Sequence, residues 1–361
     1  MGALRLFDGR ALHAELLGDA DVLLVRSVSK VNVQLIAGSR LRFVGSATAG
    51  VDHIDLEALA AAGIVFSDAA GCNARPVAEH VVTCLYAHAA RLHCAPRALT
   101  VGIIGCGHVG QQLAQLLDGL AIRHVDHDPP RAARDGQFRS APRAAALACE
   151  VVTLHVPLIA DGPWPTVNLL DAAAIATLRP GTLVINAARG GVLDEAALSA
   201  RLHGPDALVA AIDCWAGEPF VDRRLLSRVW LATPHLAGHS QEARLAATRM
   251  LWEAVRRWRG LAAAPAPVVL PSIARPVEVL SAGGSAALLA SLYPIAAHNA
   301  RMRATLTMAR AVAGTHFDDI RRRYALRREF GAYGVAWAGL PPDTVAELTA
   351  LGFHGNAAAP L

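Results

Sequence analysis

Aromatic residues make up only 5% of this 361-residue chain, although 53% of it is hydrophobic. Its apolar content is therefore mostly Ala, Leu and Val, which suits helices packed on parallel strands. No apolar run reaches the roughly 18 residues of a membrane span. The opening "MGALRLFDGR" lacks a long apolar core and a small-residue cleavage site, so a secretory leader is not expected. Leu6 stands where a myristoylation signal needs Ser or Thr. The net charge is +4, from 34 basic and 30 acidic side chains. Such a mild excess does not indicate nucleic acid. The six cysteines (Cys72, Cys84, Cys94, Cys106, Cys149, Cys214) contain no C-x-x-C pair. They read as reduced, mostly buried thiols, and no metal is expected. No repeat of 20–50 residues is visible. These absences leave a cytoplasmic enzyme of two or three domains, with a small-molecule partner and neither membrane nor nucleic acid.

What is present is alternation. Strand-like runs at Ala20–Arg26, Arg42–Ala47 and Ile64–Ser67 precede a long helix-like stretch, Pro76–Leu92. Six further runs follow at helix-length intervals: Thr100–Ile104, Ile122–Asp126, Val151–His155, Thr182–Asn186, Leu208–Asp213 and Val229–Thr233. Runs such as "LVIN" and "VVTLHV" are rich in Val, Ile and Leu, as strands buried on both faces should be. The pattern predicts an α/β fold with a doubly wound, Rossmann-type parallel sheet. A helix over Gln241–Arg259 follows, and then "GLAAAPAPVVLPSIARP", whose prolines break regular structure and place a boundary. The remainder has a helix candidate near Ala286–Ala297, a strand candidate at Tyr333–Ala338 and a Pro-started helix at Pro342–Leu351. It reads as a small α/β appendage. Its arginines (Arg321, Arg322, Arg323, Arg327, Arg328) form either a solvated helix face or an anion site.

Gly105-Cys106-Gly107-His108-Val109-Gly110 lies between the strand Thr100–Ile104 and a predicted helix, Gln111–Leu117. Gly105 allows the tight turn, Gly107 lets backbone approach a pyrophosphate, and Gly110 permits close helix–strand packing. The helix N-terminus offers free N–H groups to phosphates. "HVDHDPPR" supplies two acids for the ribose, Asp126 and Asp128, of which Asp128 is favoured. A carboxylate there would repel a 2′-phosphate, so NAD is expected over NADP.

Arg189 in "LVINAARGG", Glu218 in "AIDCWAGEP" and His235 in "LATPHLAG" each stand just past a strand-like run. Open α/β sheets carry their functional loops there. Oxidising an alcohol needs a base for the hydroxyl proton, and His235 fits that role near neutral pH. Glu218 would orient its ring and favour the imidazolium. Arg189 offers a planar fork for a substrate carboxylate. Singly, each is most simply a loop residue; together, at three strand ends of one domain, they indicate hydride transfer.

These strings, with the Gly loop, resemble the D-2-hydroxyacid dehydrogenases. "VRSVSKVN", "FVGSATAGVDHID", "GCNARPVAEHV", "DPPR" and "DGPWPTVNLL" resemble the branch that handles a small phosphorylated hydroxy acid. The likeness runs from about residue 20 to 260. It implies that Arg189, Glu218 and His235 are catalytic. It implies nucleotide contacts at His108, Val109, Asp128, Ala187, Ala188, Arg189, Asp213 and Gly238, and substrate contacts at Ser27 and Thr48, with His239 where the family has Tyr. Arg26 is the first candidate for the substrate phosphate, and Arg327 or Arg328 across a dimer the second. The implied domains are a flavodoxin-like substrate domain (1–92), an NAD domain (93–236), a return segment (237–262) and a linker with a dimerisation domain (263–361). Three further departures accompany the likeness. His108 replaces Asn, Val156 replaces a hydroxyl residue, and the family's first strand and helix have no counterpart before "LRLFDGRALHAELLGDAD". The alternatives are another 2-hydroxy acid as substrate, or a nucleotide-sensing protein with impaired chemistry.

Overall fold

The computed structural model describes residues 3–262, 269–277, 279 and 284–356. It contains two compact units: Met1–Asn73 with Glu242–Leu270, and Ala74–Gln241 with Pro271–Leu361. The division falls before the long Ala74–Arg91 helix, whereas the sequence reading put it at residue 92. Of the proline-rich stretch expected as a linker, residues 263–268 lie outside the described residues. Among the described residues no helix is long and apolar enough to cross a membrane.

In the first unit, β1 (Val22–Val25), β2 (Phe43–Ser46) and β3 (Val65–Asp68) form a parallel sheet in that order. Short helices, Val33–Ile36 and Leu56–Ala61, make the crossovers. Their first turns are capped by Asn32 and Asp55, whose side chains accept the N–H groups of Leu35 and Ala58. Such a cap is worth about 1 kcal/mol. Leu23, Val25, Val44, Leu59 and Ile64 form the core. Leu251 and Trp258 of the Gln241–Trp258 helix pack here too, Trp258 with its ring centroid 5.3 Å from that of Phe43.

The second unit is built on six parallel strands: β4 (Val101–Ile104), β5 (His124–His127), β6 (Val151–Leu154), β7 (Leu183–Asn186), β8 (Val209–Ile212) and β9 (Leu231–Ala232). Their order is β5-β4-β6-β7-β8-β9. The alternation of side chains decides which layer each residue serves. Val101, Ile103, Leu183, Ile185, Val209 and Ala211 enter one core. Ile104, Val152, Leu154, Val184, Ala210 and Ile212 enter the other. Both faces are thus covered, which accounts for the Val-, Ile- and Leu-rich runs of the central strands. Because the chain passes from β4 to β5 and then back across β4 to β6, the loops after β4 and β6 diverge, opening a crevice at the strands' C-terminal ends.

The C-terminal segment adds β10 (Ile273–Val277), β11 (Tyr333–Ala336) and β12 (His354–Asn356), a parallel sheet in that order. β10 corrects the sequence reading, which took the whole proline-rich stretch, Pro276 included, for a break. It is an edge strand, where a residue without an N–H is tolerated. This segment is also no detached appendage. Leu288, Leu289, Tyr293, Phe330, Val335 and Leu348 share one core with Val81, Val82 and Leu85 of the Ala74–Arg91 helix and with the six-stranded sheet.

Glu79 and Arg327 form a buried ion pair in that core, with side chains 0% and 3% exposed. Arg327 Nη1 donates to Glu79 Oε2 at 2.6 Å and Nη2 to the Pro76 carbonyl at 2.8 Å. Glu79 Oε1 accepts from Arg75 Nε and from the Phe330 N–H, both at 2.9 Å. Arg327 is therefore neither a solvated cation nor an anion site, against both sequence readings. Arg328 donates to the Pro271 carbonyl.

Candidate active site

The Gly loop leaves β4 as expected. Gly105 has φ +93°, and a Cβ there would meet the His155 backbone at 2.8 Å. A Cβ on Gly110 would lie 2.2 Å from the Gly105 carbonyl oxygen. These two positions can hold only glycine. Gly107 differs: a Cβ there meets nothing within 4 Å. It caps the His108–Gly119 helix with no side-chain bond of its own, so the helix N-terminus faces open space at the crevice. That is the shape a pyrophosphate requires.

The two acids at the end of β5 have different partners. Asp126 Oδ1 is bound to His124 Nδ1 at 2.7 Å. Asp128 instead accepts from the Cys106 N–H at 2.8 Å through Oδ2, and from the Arg131 N–H through Oδ1. It ties the Gly loop to the end of β5, where ribose hydroxyls would lie.

The loops after β7, β8 and β9 are drawn together by backbone and side-chain bonds. Asn186, the last residue of β7, donates from Nδ2 to the carbonyls of Arg189 (2.9 Å) and Cys214 (3.0 Å). A Cβ on Gly190 would lie 1.9 Å from the Trp215 carbonyl oxygen. The Arg189 loop therefore lies directly on the Cys214–Glu218 loop. Arg189 Nη1 donates to the Ala188 carbonyl at 2.7 Å.

Glu218 and His235 meet. His235 Nδ1 lies 2.9 Å from Glu218 Oε2, while Glu218 Oε1 accepts the Trp215 N–H at 2.8 Å. One carboxylate oxygen is thus anchored and the other orients the ring, leaving Nε2 as the working nitrogen. His235 has φ +55°, a left-handed conformation costing a non-glycine residue about 1–2 kcal/mol. Asp213 holds it there. Its own carbonyl accepts the His235 N–H at 2.8 Å. Its carboxylate accepts from Thr233 Oγ1 (2.5 Å) and from the N–H groups of Leu236 (2.7 Å) and Ala237 (3.0 Å).

The titration of these groups follows from their neighbours. Burial works against the His235 imidazolium, yet its pKa is raised well above the usual value. Glu218 is the charge responsible. Burial raises the nearby Cys214 thiol, which stays protonated and contributes no charge. Burial likewise opposes ionisation of Asp213, but the net direction is downward. His80 is itself pushed down by burial and is neutral, so His235 and the turn's hydrogen bonds carry that effect. Glu195, whose Oε1 accepts the Ala216 N–H at 2.7 Å, is raised to about 7 by burial and by the charges of Asp222 and Glu218.

Three of these supports were not foreseen from sequence: Asn186, Glu195 and the carboxylate role of Asp213. Glu195 sits in "LDEAAL", which reads simply as the capped start of the Glu195–Arg201 helix. The C-terminal segment reinforces the same loop. Ser240 pairs with Arg327 in an isolated parallel bridge, and Ser240 Oγ donates to Glu329 at 2.7 Å. The His239 ring lies 6.1 Å from that of Tyr324. Arg26, Ser27 and Thr48 stand in the first unit. Arg26 and Ser27 are exposed after β1, and Thr48 Oγ1 donates to the Gly50 carbonyl.

A dinucleotide crevice with an Arg loop and a Glu-oriented His at its strand ends defines an NAD-dependent dehydrogenase of hydroxy acids. Residues 78–237 match the family model for the D-isomer specific 2-hydroxyacid dehydrogenase, NAD binding domain. Erythronate-4-phosphate dehydrogenase of Pseudomonas paraeruginosa (strain DSM 24068 / PA7) is 42% identical over 346 residues, covering 94% of this chain and 91% of that protein. The enzyme of the same name from Edwardsiella ictaluri (strain 93-146) is 41% identical, covering 99% and 95%. Among solved structures, an NADPH-dependent glyoxylate/hydroxypyruvate reductase from Sinorhizobium meliloti aligns with a TM-score of 0.58 at 26% identity, over 72% of this chain and 87% of that one. A 3-phosphoglycerate dehydrogenase from Entamoeba histolytica shares the fold, with a TM-score of 0.58 at 23% identity, over 70% and 84%. The chain belongs to the D-2-hydroxyacid dehydrogenase family, in its erythronate-4-phosphate dehydrogenase branch.

Proposed function

We propose that this protein oxidises 4-phospho-D-erythronate to (R)-3-hydroxy-2-oxo-4-phosphooxybutanoate, with NAD as cofactor, in pyridoxal 5′-phosphate synthesis. The observation that carries this reading is the Glu218–His235 pair at 2.9 Å, set at the strand ends beside the Arg189 loop. When bound, NAD supplies the hydride acceptor. Gly105, Gly107, His108, Val109, Gly110 and Asp128 would hold its phosphates and ribose; Ala187, Ala188, Arg189, Asp213 and Gly238 would line the nicotinamide end. His235 Nε2 takes the proton of the substrate C2 hydroxyl, and Glu218 stabilises the imidazolium that results. Arg189 pairs with the substrate carboxylate and polarises the forming carbonyl. Arg26, Ser27, Thr48 and His239 are the proposed substrate contacts, Arg26 for the phosphate. We place the enzyme in the cytoplasm as a homodimer, with the C-terminal segment as the dimerisation element.

Steady-state rates on phosphorylated and plain 2-hydroxy acids test the substrate. The expected result is a kcat/KM for 4-phosphoerythronate at least tenfold above that for erythronate or phosphoglycerate. A higher value for an unphosphorylated acid would contradict it.

The pH profile tests the catalytic pair. Alcohol oxidation needs neutral His235, whose pKa is raised by Glu218. The rate should therefore climb with pH and level off only on the alkaline side. In Glu218→Gln the raising charge is gone, so the midpoint of kcat/KM against pH should move to lower pH while the plateau falls. A midpoint that does not move would remove Glu218 from this role.

A further inference from the structure

We infer that Cys214, Glu218 and His235 form a binding site for a soft divalent cation, Zn²⁺ or Cd²⁺, whose occupancy reversibly shuts off the dehydrogenase. The three side chains offer a sulfur, a carboxylate oxygen and an imidazole nitrogen, and these ligand atoms all lie within 4.8 Å of one another. A tetrahedral zinc with bonds of about 2.0–2.3 Å places its ligand atoms roughly 3.5 Å apart. Closing the set takes side-chain movements on the order of 1 Å. The loop is shaped for convergence: Gly217, at φ +73°, turns the chain so that Cys214 and Glu218, four residues apart, reach the same point as His235.

The donor types decide which cation fits. A thiolate with an imidazole selects soft or borderline ions over Mg²⁺ and Ca²⁺, which want oxygen. Cys214 supplies this selectivity, since a carboxylate–histidine pair alone is ordinary in a proton-relay site. Its thiol is buried at 1% exposure, while the side chains of His235 and Glu218 are 32% and 20% exposed. The ion therefore enters from the His235–Glu218 side and loses its last waters against the sulfur. Cys214 Sγ releases its proton to solvent on binding. A cation held this way occupies the imidazole and carboxylate that the relay uses. The sequence reading, which looked for C-x-x-C spacing, expected no metal here.

The inhibition rests on the function proposed above; the binding does not, so the test has two arms. In the first, Cd²⁺ is added to the full-length protein without substrate, and the ultraviolet thiolate-to-Cd²⁺ charge-transfer band is followed. Wild type should gain a band that saturates at one equivalent, that EDTA reverses, and that Cys214→Ala and Cys214→Ser lack. In the second, Zn²⁺ is titrated into the dehydrogenase assay. Cys214→Ala should keep its metal-free turnover and need at least tenfold more Zn²⁺ for half-inhibition. An identical Cd²⁺ band in wild type and both variants would overturn the site. Undiminished Zn²⁺ inhibition in Cys214→Ala would overturn the shut-off. A wild type that shows the band but no turnover with any acid would instead refute the proposed function and leave the site standing.

Discussion

His235→Ala should lower kcat for 4-phosphoerythronate oxidation by about 10²–10⁴-fold, the range expected for losing a positioned general base, while NAD affinity stays within twofold. The reason is geometric. His235 is held in a left-handed backbone conformation by Asp213, which accepts the N–H groups of Leu236 and Ala237 and receives the His235 N–H on its carbonyl. The protein accepts that local strain at the position whose side chain meets Glu218. Strain of this kind persists only where surrounding bonds over-determine it. A companion variant, His235→Asn, keeps a residue that tolerates positive φ and has no base at Nε2. It should fold as well as wild type and be equally inactive. Turnover retained in either variant would show that another group takes the proton. Loss of NAD binding in both would show that the residue serves the nucleotide instead.

Arg327→Met should destabilise the protein by about 3–5 kcal/mol, the usual consequence of stripping one partner from a buried ion pair. For a unit of this size that corresponds to a melting temperature lower by roughly 10 °C. The change leaves Glu79 fully buried with its Oε2 deprived of a charged donor, although Arg75 and the Phe330 N–H still serve Oε1. The guanidinium also lies 4.6 Å from the Tyr293 ring centroid, and methionine recovers part of that packing. Calorimetry of the whole chain reads the effect. A shift below 2 °C, corresponding to less than about 1 kcal/mol, would mean that the pair orders the segment without stabilising it. Because Ser240 pairs with Arg327 and bonds to Glu329, the same variant should also raise the KM for substrate.

What the sequence made legible follows from which residues face a uniform environment. Five of the six strands of the main sheet are buried along their length, so strings such as "LVIN" and "VVTLHV" are rich in Val, Ile and Leu; β5, "HVDH", is only half-buried and was read from its place in the alternation. The Gly loop was readable because two of its glycines are sterically compelled, by the His155 backbone and by the Gly105 carbonyl. β10 was hidden because an edge strand accepts Pro276, and proline in sequence argues against a strand. Arg327 was misread because five arginines within eight residues look solvated, and only tertiary packing sets one of them beside Glu79, 248 residues away. Asp213 was foreseen as a nucleotide contact, but its carboxylate accepts bonds from the turn that carries His235. Cys214 had no sequence signal at all: its two partners lie four and twenty-one residues on, a spacing shared with no common metal motif.

The central claim is that the side chains gathered at the ends of β7, β8 and β9 pass a proton while the substrate C2 hydride leaves for NAD. A single-turnover reaction with stoichiometric enzyme, NAD and 4-phosphoerythronate deuterated at C2 tests it directly. The reduced nicotinamide should carry one deuterium and form more slowly than with unlabelled substrate. Unlabelled NADH, or none at all, would contradict the account.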